Sequence, residues 1–223
     1  MSNVRGVSVR TALLTAPLVV AGLLGAAAAP AGAAPVSSHS GKQSASYSGR
    51  SLTCQGKGVD PKALVRYRTE TVIHAPLSTI WKLQTDVESW PSWQSPVETA
   101  KRLDDGPFGK GSAFRWTTPA PPTPTTPATT LEITSTVEQL KRKSCIRWTG
   151  PAIGEGLRID NGVHVWNFTE VKGGVRVSTE ETHTGDQIES NVPLATEILG
   201  KGLKGWLAEL KTAAEARAGY EPR

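Results

Sequence analysis

The residues best suited to chemistry lie between Gly162 and Gly185, where two alternating runs flank Lys172-Gly173-Gly174. A Gly-Gly pair between β-type residues is a hairpin signal. Period two places His164, Trp166 and Phe168 on one face of the first strand, and Val175, Val177, Thr179, Glu181 and His183 on one face of the second. A face that combines bulky aromatics with a histidine and a carboxylate suits a partly polar pocket better than a plain core. His164 can serve as a general acid/base or orient a ligand by hydrogen bonding, and it can equally be a structural histidine tied to the backbone. Glu180 and Glu181 point to opposite faces. Glu181 is the one expected inward and Glu180 the one expected in solvent. A buried carboxylate needs a partner. Arg147 alternates with Trp148 and faces outward, which leaves His164. A His164–Glu181 pair suits proton transfer, and it also suits anchoring a ligand's hydroxyl or carbonyl.

Other chemistries lack their residues. His39, His74, His164 and His183 are scattered, and no H-x-x-E-H or C-x-x-C spacing occurs, so no metal is expected. There is no nucleophile elbow, phosphate-cradling glycine loop or dinucleotide fingerprint, so no cofactor is expected. Gly200-Lys-Gly-Leu-Lys-Gly lies inside a helical pattern rather than after a strand. The net charge of +5 is modest and dispersed. Its densest run, Lys141-Arg142-Lys143, falls at a turn, so a nucleic-acid partner is not expected.

The elements that must position these groups follow from the pattern. With 223 residues and 38% hydrophobic content, the chain can bury one main core. Arg5 and Arg10, the uncharged run Thr11 to Ala29 and Ala31-Gly32-Ala33 read as an export leader over 1–33, cleaved near Ala33. The rival is an uncleaved membrane anchor. Loss of the leader leaves 23 of the 25 basic side chains against 20 acidic ones. Export places Cys54 and Cys145 in an oxidising compartment, where an even count favours a disulfide; the alternative is a buried thiol and a reactive exposed one. Residues 34–60, rich in Ser and Gly, read as a flexible lead-in that only Cys54 argues against.

Leu64 to His74 alternates as a strand. Leu77, Ile80, Trp81 and Gln84 fall at helical spacing after Pro76 at a first helical position. Asp86 to Trp90 is a second short helix stopped by Pro91, and Trp81, Trp90 and Trp93 are expected to pack the corner that closes one end of the cavity. Strands are expected at Val97 to Leu103, Ser112 to Thr118, Thr129 to Leu140 and Ser144 to Thr149. Proline-rich Pro119 to Pro127 forms a stiff loop outside the ladder, and Gly150 to Gly156 forms a second loop. After Gly185 the chain turns helical, with Val192, Ala195, Ile198, Leu199, Leu203, Trp206, Leu207 and Leu210 in a stripe. Gly200, Gly202 and Gly205 are costly in a helix and point to close packing, a kink or room beneath it. The order is one strand, two short helices, six strands and a long helix. One antiparallel sheet needs its apolar face covered, and the terminal helix is the only large cover. A twisted sheet diverges from a straight rod and so encloses a cavity.

Several motifs together resemble a known family: I-H-A-P-L-S-T-I-W-K-L-Q-T-D at 73–86, W-P-S-W at 90–93, G-K-G-S-A-F-R-W at 109–116, R-W-T-G at 147–150, H-V-W-N-F at 164–168 and T-E-E-T-H-T-G at 179–185. They are similar in order and spacing to the SRPBCC or START-like superfamily, on its polyketide cyclase/dehydrase branch. The resemblance implies an α+β helix-grip fold over residues 61–219, with a seven-stranded curved antiparallel sheet wrapped around the C-terminal helix, and a short tail at 220–223. It implies a hydrophobic cavity holding a lipid, sterol, polyketide or similar small molecule. Sheet residues Phe114, Trp116, Ile133, Trp148, His164, Trp166, Phe168, Thr179 and Glu181 are expected to line it, with Leu199, Leu203 and Trp206 from the helix. The expected function is an exported small-molecule-binding protein whose membrane contact is transient if any. A cyclase- or dehydrase-like enzyme using His164 and Glu181, and an interaction module with a filled core, are the alternatives. The leader and the proline-rich insertion depart from the family pattern.

Overall fold

The computed structural model describes residues 50–219. The expected leader, its cleavage point, most of the lead-in and the tail lie outside them. The described chain opens on two short antiparallel strands, β1 (Thr53–Cys54) and β2 (Lys57–Gly58). The end of the expected flexible lead-in is therefore an ordered ribbon. A disulfide joins Cys54 to Cys145 across a sequence separation of 91, with Cα atoms 5.4 Å apart. Arg147 Nε donates to Gly58 O at 2.8 Å, and Asn167 Nδ2 donates to Thr53 O at 2.9 Å. Val59 and Leu52 pack on Val163 and Val165. Composition alone misses this order, because the bond and the outer face of the sheet supply what the segment's own side chains lack.

β3 (Val65–Ile73) leads into α1 (Leu77–Thr85), which Pro76 precedes as cap rather than entering as first residue. Ile80, Trp81, Leu83 and Gln84 are its buried face. A 3₁₀ turn over Val87–Ser92 follows, and Pro91 sits inside it instead of stopping it. The turn is held by Ser89 N to Asp86 O at 3.0 Å and Trp93 N to Trp90 O at 3.0 Å, bonds that do not call on the N–H proline lacks.

The remaining strands are β4 (Thr99–Arg102), β5 (Ala113–Ala120), β6 (Thr129–Lys141), β7 (Cys145–Gly154), β8 (Leu157–Val171) and β9 (Gly174–Thr184). With β3 they form a seven-stranded antiparallel sheet in the order β3-β9-β8-β7-β6-β5-β4. Two strands run into segments expected as loops. β5 carries Pro119 and Ala120 in register with Thr130 and Thr129. β4 pairs β5 only as far as Thr117, so β5 has a free edge beyond it, where proline is tolerated. β7 continues through the expected glycine loop to Gly154, with a bulge between Gly150 and Ala152. Glycine at 150 answers a close approach: a Cβ there would lie 1.8 Å from Thr134 O. This bulge and another between Val137 and Gln139 add local twist.

The C-terminal helical stretch divides into α2 (Asp186–Glu189) and α3 (Val192–Arg217). Asn191 caps α3, its side chain accepting from Leu194 N at 3.2 Å. Ala195, Leu199 and Leu203 pack on Val65 and Tyr67, and Leu207, Leu210 and Ala214 join the main core with Trp166, Phe168 and Val177. Each fully buried leucine contributes about 1.5–3 kcal/mol. Gly200 lets α3 close on β3, since a Cβ at that position would meet the Tyr67 ring at 2.7 Å. Among the described residues no helix is long and apolar enough to cross a membrane.

Candidate functional site

α3 is drawn onto β3 at one side of the sheet, and a cavity of about 270 Å³ remains between the helix and β5–β9. Leu131 and Ile133 of β6, Ala152 of β7 and Leu157 and Ile159 of β8 make its apolar wall. Ile188 of α2 and Ala195, Ile198, Leu199 and Leu203 of α3 cover it. Trp116, Trp148 and Trp206 close one end. Thr118, Pro119, Ala120, Pro121 and Thr123 bring the end of β5 and the proline-rich loop to the wall.

Behind the tryptophans lies an aromatic layer. Trp90 stands edge-to-face with Trp206 at 4.9 Å, Phe114 at 5.4 Å and Trp116 at 5.9 Å between ring centroids. Such pairs add about 0.5–1.5 kcal/mol each beyond burial. Trp206 is fixed further by donating from Nε1 to Gln84 Oε1 at 3.2 Å, while its carbonyl accepts from Gln94 Nε2 at 3.0 Å.

The charged and titratable groups on the cavity wall are His164, Glu181 and His183. Hairpin register sets His164 opposite Glu181 and Gly162 opposite His183. His164 Nδ1 lies 3.3 Å from Glu181 Oε2, and His183 Nε2 lies 3.2 Å from Glu181 Oε1. His164 Nε2 is 2.6 Å from Thr179 Oγ1. Burial pushes the His164 imidazole down to about 4, outweighing the pull of Glu181, and His183 lowers it further. Burial works to raise the Glu181 carboxyl, but His164 and His183 beside it prevail and hold it below the usual carboxylate range. At neutral pH the site is thus a carboxylate beside a neutral imidazole. Among the described residues no group of three or more His, Cys, Asp or Glu is arranged to hold a metal ion.

The expected pair of His164 and Glu181 is in place. Trp116, Ile133, Trp148, Leu199, Leu203 and Trp206 reach the cavity as expected. Phe114, Trp166 and Phe168 do not: they are buried in the core behind it. Thr179 is fully buried and touches His164 rather than the cavity. Alternation assigns these four the correct face, but depth along a strand has no period. Glu180, expected in solvent, is 1% exposed. It accepts from Leu52 N at 2.6 Å, Ser51 Oγ at 3.1 Å and Arg66 Nε at 2.6 Å on the outer face, because the disulfide-bonded ribbon covers it. His183 shares the face of Glu181 by alternation, and its contact with that carboxylate makes it a site residue, although it was not among the expected lining.

A family model described as polyketide cyclase/dehydrase and lipid transport matches residues 65–215. No curated protein matches in sequence. Among solved structures, the chain is similar to a Thermus thermophilus protein at 18% identity, covering 69% of this chain and 99% of that one, with a TM-score of 0.54. It is similar to a START superfamily protein from Mycobacterium smegmatis at 12% identity, covering 68% and 98%, with a TM-score of 0.54. It also resembles the di-domain ARO/CYC StfQ of the steffimycin biosynthetic pathway at 18% identity, covering 70% of this chain and 52% of that one, with a TM-score of 0.52. At these identities the solved structures speak for the fold, and the match over 65–215 speaks for the family. The chain belongs to the polyketide cyclase/dehydrase and lipid transport family, and its helix-grip fold is shared with the START superfamily protein it resembles.

Proposed function

We propose that the protein is an exported carrier or receptor that holds an apolar small molecule between α3 and the sheet. The observation that carries this reading is the cavity of about 270 Å³, walled by Leu, Ile, Ala, Pro and Trp side chains with one polar cluster around Glu181. Removing ligand surface from water supplies the affinity, and the polar cluster orients one end. The volume lies near the lower end of small-molecule pockets, which run from about 300 to 1,000 Å³, and so suits a compact ring system or a short single chain better than a two-chain lipid. Export is supported by the leader-like first 33 residues and by a disulfide, a bond that persists in oxidising compartments. An enzyme that uses His164 as its proton-transfer group has less support, since both ring nitrogens already face partners.

Native mass spectrometry of the protein purified without detergent tests the binding. A reproducible added mass of small-molecule size, lost on organic extraction, is the expected result. Consistent absence of such a mass from protein recovered outside the cytoplasm, together with no uptake of added apolar compounds, overturns the reading. N-terminal sequencing of that material is expected to start at Ala34.

A further inference from the structure

The polar end of the cavity has an acceptor and lacks a net positive charge. Among the described residues, no lysine or arginine lines the cavity. Glu181 is ionised at neutral pH, and His164 is neutral. Whether His183 carries a proton or not, the three groups together sum to minus one or to zero. Both ring nitrogens of His164 are engaged, one with Thr179 and one with Glu181. A carboxylate offers about four lone-pair directions, and the two histidines address one on each oxygen. The remaining directions on Glu181 are the strong acceptors at the cavity. Space is kept beside them by Gly162, where even a Cβ would stand 3.5 Å from Glu181 Oε1 and 3.6 Å from the His183 ring.

Resting on the binding function proposed above, we infer that the ligand is an apolar molecule ending in a hydrogen-bond donor, a hydroxyl or an ammonium, which donates to Glu181, and that carboxylic acids are rejected. Thr118 and Thr123 also line the cavity, but their hydroxyls are neutral, and the Trp116 indole N–H is buried rather than at the surface of the wall. None of these offsets the cost of burying a ligand carboxylate next to a protein one, since like charges in a largely buried site repel and each loses hydration. A ketone or ester head escapes the repulsion but has no proton to give, so Glu181 would lose water and gain nothing. A hydroxyl or ammonium replaces that water directly, and charge-assisted hydrogen bonds of this kind are the stronger class.

The test uses four probes with one alkyl chain and different ends: decanol, decylamine, decanoate and methyl nonyl ketone. Binding to the full mature protein, stripped of co-purified ligand, is measured by calorimetry at neutral pH. Decanol and decylamine are expected to bind about tenfold or more tightly than decanoate and the ketone, the size of one good hydrogen bond. Comparing the two donors shows which of them the site prefers. In Glu181→Gln the amide replaces the carboxylate, and the penalty on decanoate is expected to shrink to within about threefold of decanol, as the repulsion goes. If decanoate or the ketone binds the wild-type protein as tightly as decanol, the donor requirement is wrong while the cavity function stands. If none of the four binds, the cavity function fails and this inference fails with it. Both outcomes are read on the wild-type protein, so neither depends on the variant folding.

Discussion

Thr179 Oγ1 lies 2.6 Å from His164 Nε2, two residues along β9 from the carboxylate that faces Nδ1 of the same ring at 3.3 Å. A neutral imidazole has one donor and one acceptor. With Nδ1–H turned to Glu181, Nε2 accepts the threonine proton, and the ring is fully used within the protein. His164 is therefore a positioning residue. It sets the place and charge of Glu181, which is the group that meets the cavity.

The threonine contact can be weighed by Thr179→Val, which removes the hydroxyl and keeps the shape. His164 Nε2 is then a buried acceptor without a partner, and the expected loss is about 1–3 kcal/mol by urea denaturation at neutral pH. A loss under about 0.5 kcal/mol would show that the ring finds another donor and that the pairing is incidental.

Acid should destabilise the protein through the same ring. The folded-state value of His164 is down to about 4, against 6.5 for the ordinary group. Between those values the unfolded chain takes up a proton that the folded chain refuses. The stability this represents is whole above about 6.5 and is lost as pH falls toward 4, on the order of 3 kcal/mol in total. Glu181 has the same sign, since its folded value is depressed, and its share is lost as pH falls further. Thermal unfolding across this range should show a falling Tm for the wild type. In His164→Asn the slope between 6.5 and 4 should flatten, and an unchanged slope would assign the effect to other groups.

The outer ribbon and the cavity lie on opposite faces of the sheet, which separates two readouts. Reduction, or the double change Cys54→Ser and Cys145→Ser, is expected to cost about 2–5 kcal/mol, as for other native disulfides closing long loops. Hydrogen exchange should rise at Leu52, whose amide donates to Glu180, and along the outer residues that the ribbon covers. Decanol affinity should stay within about twofold. A large drop in affinity would mean that the ribbon supports the cavity through the sheet.

How far these features were legible in the sequence differs by element. Alternation along 162–185 carried enough information to set His164 against Glu181, because a two-residue period and a tight hairpin fix register. The cover by α3 followed from its apolar stripe. Glu180 was misread because alternation reports which face a residue is on, not what later covers that face. Ser51 and Leu52 cover it, over a hundred residues away in sequence. Phe114, Trp166 and Phe168 failed as lining for a related reason, since the place where α3 leaves the sheet is decided by packing between distant residues. The stretch from Gly150 to Gly156 read as a loop, yet as far as Gly154 it is the bulged end of β7, and at Gly150 Thr134 comes too close for a side chain.

The glycines of α3 give a last prediction, because their surroundings differ although their helical cost is alike. At Gly205 an added Cβ meets nothing within 4 Å. Gly205→Ala should therefore stabilise by up to about 1 kcal/mol, the ordinary gain from alanine in a helix. At Gly200 the same Cβ would stand 2.7–2.9 Å from three atoms of the Tyr67 ring. That ring is rigid and is covered on its face by the Lys204 ammonium, 5.4 Å from the ring centroid. Gly200→Ala must push α3 away from β3 or displace Tyr67, and it should lose about 1–3 kcal/mol despite the better helix former. Leu199 and Leu203, which flank this contact, are also wall residues of the cavity, so decanol affinity should change with Gly200→Ala and not with Gly205→Ala. Equal gains in Tm for both variants would show that close packing on Tyr67 does not set the position of α3, and the cavity volume would need another cause.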